Sequence, residues 1–315
     1  MPVPRARGVS LALLLLAAIL FPLLVDNPYL VSVVVTAYVI AIAVYGLDVM
    51  LGYTGQLSLA QGGFFGIGGY TAGILMASHG VSFWMALPAA VAVTSVLGYL
   101  IGLAALRTRG DYFAIFTLAV GVMIVIVIER WEDVTGGTDG LIGIPPPSSI
   151  GPLHFDSLTA QYYLVLFFLV LTIYVVWSLV NSLVGRTFVA VRNSEDLARA
   201  VGIDAGRTHQ VSFVISAALA GLGGALYAVF LGYIGPAMGG VQMTFMMLVY
   251  LMIGGVASLA GPLLGTLLVT GLMQALQAFA QYQMMALGPI LVVVIIFFPT
   301  GLAGLAKRLL ERWTR

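Results

Sequence analysis

The chain has no cysteine, one lysine, three histidines and few charges of either sign. Without cysteine there are no disulfides, thiolate metal sites or cysteine nucleophiles. Only 8% of the 315 residues are charged, where about 25% is usual. A water-soluble globule of this length needs far more polar residues to cover its surface, so a soluble enzyme is excluded. Disorder is excluded because 61% of residues are hydrophobic. A net charge of +1 leaves no electrostatic footprint for a nucleic-acid partner.

Catalytic chemistry is as poorly provided for. The single lysine, Lys307, does not sit in a G-x-x-x-x-G-K-[ST] loop, so the chain has no P-loop of its own. His79, His154 and His209 show no metal-ligand spacing, and no H-E-x-x-H is present. His209 reads as a solvated residue at a helix end. No metal site, cofactor or catalytic residue is expected in this chain. Asp48 has no carboxylate twin for an intramembrane protease; it reads either as a hydrogen-bond partner between helices or as a group facing a cavity.

What the sequence has instead is long apolar runs, with a mean hydropathy of +1.09. About 20 apolar residues in a helix cross a bilayer core. Ten crossings are expected, near 9–25, 30–50, 57–78, 83–106, 112–128, 161–184, 210–233, 241–258, 264–282 and 286–305. The runs are continuously apolar, whereas barrel strands would alternate. The expectation is therefore an all-α polytopic membrane protein, one transmembrane domain over 1–315. Arg5 and Arg7 before the first run resemble a signal peptide, but Phe21-Pro22-Leu23-Leu24 stands where a small-residue cleavage site belongs, so an uncleaved first helix is expected. Lys and Arg accumulate on the cytoplasmic side. With the N-terminus inside, twelve of the thirteen fall inside and only Arg130 outside. Glu129, Glu132, Asp133, Asp139 and Asp156 share the outer loop 129–160. Both termini are thus expected in the cytoplasm, in a bacterial inner (plasma) membrane.

Two segments carry more than hydrophobicity. Eight glycines fall between Gly52 and Gly73. Gly62 and Gly66, and Gly69 and Gly73, are four apart, the spacing that lets helix backbones approach closely in lipid. The same stretch holds Tyr53, Thr54, Gln56, Ser58 and Gln61, which with Asp48 suit a broken helix beside a translocation pathway. Tight packing and a pathway are compatible readings. Ser258-Leu259-Ala260-Gly261 echoes Ser58-Leu59-Ala60-Gln61, and Gly261 and Gly265 repeat the small spacing, which points to an internal repeat. The second segment is the inner loop 185–209. Asn193 or Ser194 caps a short helix near 194–201 whose first turn carries Glu195 and Asp196, and Val201-Gly202 stops it. It reads as a charged connector or as a docking element. Gln274 and Gln277, three apart, suit interhelical hydrogen bonds, and Met243, Met246, Met247 and Met252 suit adaptable packing.

Several stretches resemble one family. GYTGQLSLAQGGFFGIGGYTAG at 52–73, GDYFAIFTLAVG at 110–121, TGGTDGL at 135–141, FVAVRNSEDLARAVGI at 188–203 and FVISAALAGLGGALYA at 213–228 are similar to the LivM-type permease of branched-chain amino acid ABC importers. Asp196-Leu197-Ala198 followed by Gly202 resembles the acid-Ala-Ala, three residues, Gly motif by which ABC permeases engage their ATPases. Here leucine replaces the first alanine and aspartate the usual glutamate. The resemblance implies a ten-helix permease fold like that of the vitamin B12 importer type, with the coupling loop between helices six and seven. It implies a second, LivH-type permease, two nucleotide-binding subunits holding ATP and Mg, an extracytoplasmic substrate-binding protein, and a lipid environment. Arg192, Glu195, Asp196, Ala198 and Gly202 would then serve ATPase coupling. Leucine, isoleucine and valine are the cargo it implies; urea, short amides, aromatic compounds or other amino acids are alternatives. A stand-alone secondary transporter would need buried ionisable groups, for which Asp48 is the candidate.

Overall fold

The structure, a computed structural model, describes residues 16–108, 110–149, 151, 154–275 and 301–304. The start of the first expected crossing, the end of the ninth, most of the tenth, Gln277 and the terminal basic residues lie outside them.

The described chain is mostly helical. Helix α1 covers 16–24. Helix α2 (Pro28–Asp48) has proline in its first turn, where the lost N–H has no intrahelical partner to miss, and Asn27 accepts the Tyr29 N–H at 3.0 Å. It runs into a π-helical turn at Val49–Tyr53, and the chain then unwinds over 55–60. The expected crossing at 57–78 starts late: α3 spans Gln61–Gly73 and ends in a second π turn, Ile74–Ser78. Helices α4 (Phe83–Ala105) and α5 (Asp111–Arg130) follow, then the short α6 (Glu132–Thr135). Next come strand β1 (Leu141–Ile142) and helix α7 (Leu158–Asn181), whose N-cap Ser157 accepts the Ala160 N–H at 3.2 Å. Beyond α7 lie the surface helices α8 (Leu183–Asn193) and α9 (Glu195–Ala200). Helix α10 (Ala205–Leu231) is capped by Asp204 and ended by Gly232 at φ 66°. Strand β2 (Tyr233–Ile234), α11 (Val241–Gly254) and α12 (Gly261–Ala275) complete the described order.

Among the described residues, five segments are long and apolar enough to cross a membrane: Pro28–Tyr53, Phe83–Ala105, Asp111–Arg130, Leu158–Asn181 and Ala205–Leu231. They differ in what covers them. The α2 segment is 78% buried in protein and α5 only 22%. Helix α2 is thus an interior helix with no polar face at all, as its apolar sequence requires. It packs on α10, α7 and α12, while α3 lies chiefly between α10 and α4. Helices α4, α5 and α7 turn large apolar side chains outward, among them Met85, Tyr99, Ile115, Met123, Phe167 and Tyr174, as helices bordered by lipid do.

The two ends of the bundle are closed differently. At one, β1 pairs antiparallel with β2, Leu141 opposite Ile234, tying the 131–157 segment to the end of α10. The TGGTDGL stretch makes this turn: Gly136, Gly137 and Gly140 all have positive φ, and the Thr135 hydroxyl donates to Ile128 O at 2.6 Å. Glu129, Glu132, Asp133, Asp139 and Asp156 are exposed at this end. At the other end, α8 and α9 carry Arg186, Arg192 and Arg199.

Candidate translocation and docking sites

The polar residues of the 48–61 segment converge on α10 and on the α11–α12 connection. Asp48 is buried at the end of α2. Its Oδ1 accepts the Ala257 N–H at 2.7 Å, and its Oδ2 is buried without a hydrogen-bond partner among the described residues. Ala257 holds a φ of +56°, a conformation that L residues other than Gly, Asn and Asp rarely adopt. Thr54 stands 3.3 Å from the Ser212 hydroxyl of α10. Gln61 binds two helices at once: its Nε2 donates to Ala43 O at 2.9 Å and Ser216 O at 3.3 Å, and its Oε1 accepts from the Ser216 hydroxyl at 2.9 Å. Ser58 is buried, and its hydroxyl oxygen lies 3.4 Å from the Ala60 N–H. Tyr53 belongs to the apolar core cluster. Gln56 is half-buried, its side-chain oxygen without a hydrogen-bond partner among the described residues. In this conformation Asp48, Thr54 and Gln61 hold helices together, and the unwound backbone between them lies against protein, the setting that broken helices in lipid require.

Close backbone approach explains the glycines. A Cβ on Gly62 would stand 2.5 Å from Gly240 O, and one on Gly66 2.8 Å from the Cα of Gly239. Gly62 also donates its N–H to the Thr244 hydroxyl at 2.8 Å. Gly69 and Gly73 face Ile234 and Ile144 instead, and Gly261 and Gly265 face the backbone of Gly255 and Tyr250. The same logic accounts for the 213–228 stretch. Gly221 meets Gly68 of α3 backbone to backbone, and Gly224 meets the Phe65 carbonyl.

The echo between 58–61 and 258–261 is larger in three dimensions than in sequence. Each segment lies between two helices, and at the position three residues before the serine each carries a positive-φ glycine, Gly55 at 78° and Gly255 at 114°. Each serine turns back on the backbone that starts the next helix, Ser258 accepting the Gly261 N–H at 3.0 Å. The shared pattern is G-x-x-S-L-A, at a constant offset of 200 residues.

The inner segment 185–209 forms the short helix that the sequence suggests, and carries a second helix before it. Ser194 is the cap, accepting the Leu197 N–H at 3.3 Å, and Glu195 pairs with Arg199 one turn on. Gly202 ends the helix at φ 89° and faces open space. Helix α8, which the sequence reading missed, precedes it. Its buried face is Gly185, Phe188 and Val191, spaced three apart and legible as an amphipathic stripe in retrospect. Val191 and Ala198 pack with Ala205, joining α8, α9 and the start of α10 into one unit. Asp196 is exposed, as are Leu197 at 66% and Val201 at 71%, four residues apart on one face. His209 corrects the sequence reading. Helix α10 starts at Ala205, so His209 lies in its second turn, buried, with neither ring nitrogen hydrogen-bonded among the described residues. Among the described residues no three His, Cys, Asp or Glu side chains gather to hold a metal ion.

Comparison with known proteins gives the arrangement a context. The family described as branched-chain amino acid transport system / permease component matches residues 29–298. The chain is 31% identical to the high-affinity branched-chain amino acid transport system permease protein LivM of Salmonella typhimurium, over 93% of this chain and 74% of that one. It is 30% identical to LivM of Escherichia coli K12, over 94% and 75%. LivH of the same strain is 24% identical over 84% of this chain and 91% of its own. No solved structure matches with significance.

Proposed function

The chain belongs to the branched-chain amino acid transport system permease family, and from that premise we propose that it is one membrane subunit of an ABC importer for leucine, isoleucine and valine. Its bundle is a single ten-helix transmembrane domain of the vitamin B12 importer type in a bacterial inner membrane, both termini in the cytoplasm. A LivH-type permease pairs with it. Two ATPase subunits, holding ATP and Mg, dock from the cytoplasm, one of them on 185–209, and an extracytoplasmic binding protein meets the acidic end.

The observation that carries this reading is the unit α8–α9. Buried Phe188 and Val191 anchor it, while it presents Leu197 and Val201 uncovered beside Asp196, Glu195 and Arg199. Exposed apolar anchors on a charged surface helix suit a protein partner. Closure of the ATPases on nucleotide would displace this unit, and the bundle would pass between inward- and outward-open states, the two-state element that coupling between distant sites requires. The pathway is assigned to the break between α2 and α3, with Asp48 at its edge and the polar set Tyr53, Thr54, Gln56, Ser58 and Gln61. The groups of that set are neutral, suited to passing a zwitterion without holding it.

The test is uptake of labelled leucine into proteoliposomes. The chain alone is expected to hydrolyse no ATP and to take up nothing under a proton or sodium gradient. With its permease partner, the ATPases, the binding protein and ATP, uptake is expected. Gradient-driven uptake by the chain alone would overturn the proposal. Within the complex, D196R and G202W are expected to abolish transport; full transport in both would remove the docking role from α9.

A further inference from the structure

One exposed basic residue of the α8–α9 unit lays the stem of its side chain against the first break. Arg192 ends α8, and the stem of its side chain lies over Gly55. A Cβ on Gly55 would stand 3.0 Å from Arg192 Cγ, 3.6 Å from its Cβ and 3.6 Å from its Cα. Gly55 has a φ of +78° and opens the unwound segment between α2 and α3. A residue with a Cβ would press on the arginine stem there, and an L residue would be strained in that backbone as well. The contact is therefore built from both sides.

Three further observations extend it. Phe188, one turn back on α8, is fully buried in the same apolar cluster as Val49 and Tyr53 of the π turn. Asp48 and Tyr53 both lie within electrostatic reach of the Arg192 guanidinium. Asp48 in turn holds Ala257 in the second break, between α11 and α12. A line of contacts thus runs from α9 through Val191 to α8, and from Phe188 and Arg192 to the π turn and Gly55 at the first break. α8 could have been a passive spacer. A spacer needs no arginine stem on a positive-φ glycine.

We infer that Arg192 is a positioning residue, the joint through which the docking unit α8–α9 moves the unwound segment 55–60 as one body, with its stem on Gly55 carrying the displacement and Phe188 seating the unit in the core. This rests on the ATP-driven reading above. The joint transmits by contact and stays closed through the cycle. Shortening its side chain leaves ATP hydrolysis running while the pathway no longer responds.

The absence of native cysteine gives a direct test. The 3.6 Å between the two Cβ positions falls inside the roughly 3.5–4.5 Å that a disulfide spans. The G55C/R192C double variant is made in the full complex and reconstituted with the binding protein. Reduced and assembled, it is expected to take up about tenfold less leucine per ATP hydrolysed than the wild type, within the roughly 5–150-fold range typical of coupling between sites. Oxidation by copper phenanthroline is expected to form the bond and restore uptake, and reductant to remove it again. Wild-type uptake in the reduced variant, absence of the bond in assembled complex, or a formed bond with no recovery would each overturn the inference. Should the double variant fail to assemble, R192M and R192A decide. R192M keeps the stem and is expected to keep most of the coupling, R192A to lose it, and equal uptake in the two overturns the joint. If the wild-type complex itself shows no ATP-driven leucine uptake, the failure belongs to the proposed function and not to the joint.

Discussion

The break between α2 and α3 and the break between α11 and α12 share a sequence pattern and a turn, yet they are held in opposite ways. At 55–60 the glycine is exposed, the neighbouring polar side chains reach across to α10, and the group beside it is an arginine stem from a surface helix. At 255–260 the backbone is clamped from inside by a buried carboxylate, Asp48 Oδ1 on the Ala257 N–H. One copy is fastened to the part of the molecule that a partner would push, the other to the core. A duplicated broken helix can serve as lever in one half and as fulcrum in the other, and the difference lies in which residue closes the turn.

Substitutions that fill the helix contacts flanking the breaks should do most damage. Leucine at Gly68 or Gly254 would place a Cβ 2.6 Å from the backbone carbonyl carbon of Gly221 or Gly261. Overpacking costs about 1–3 kcal/mol even where side chains can yield, and backbone cannot. G68L and G254L are expected to give no folded chain, read as loss of the monodisperse peak in detergent. Smaller, and specific to the second break, is removal of the Asp48 clamp. D48A leaves the Ala257 N–H without its acceptor, a loss of about 1–3 kcal/mol, while D48N keeps an oxygen there and should cost under about 1 kcal/mol by the same accounting. Equal melting temperatures for the two would show that the clamp does not hold the turn. A257G should act with the opposite sign. It relieves a positive φ that costs an L residue roughly 1–2 kcal/mol, less the extra freedom glycine gives the unfolded chain, a net gain of about 0.5–1 kcal/mol. Smallest are the serines. S258A should cost more than S58A, both near about 0.5–1 kcal/mol, because its bond to the next helix is 3.0 Å against 3.4 Å. The reverse order would mean the two turns are not equivalent caps.

Much of this was legible in the residues. Apolar run length located α4, α5, α7 and α10 to within about five residues, because lipid imposes one length on every crossing. Ser194, Glu195 and Gly202 marked α9, because cap chemistry is local. Spacing of glycine marked close approach, though which surface each glycine meets was not readable: Gly62 and Gly66 meet the 239–240 turn and Gly68 meets α10, contacts made between residues over 150 apart. Helix α8 was lost in a loop read for its charge, although Gly185, Phe188 and Val191 carry a helical stripe. The burial of His209 is not legible in the residues, because the first turn of α10 is polar and hydropathy places the start of the helix several residues late. The roles of Ser212, Ser216 and Ala257 are invisible in one dimension. They depend on which helix arrives beside them.

Sidedness of the docking unit tests the account most directly. V201C would be the one cysteine in the chain, on a side chain whose native residue is 71% exposed. The account predicts that a membrane-impermeant maleimide labels it in inside-out vesicles and not in intact cells, and that assembly with the ATPases shields it. Labelling in intact cells, with an N-terminal tag confirming the cells are sealed, would place 185–209 outside and contradict the account.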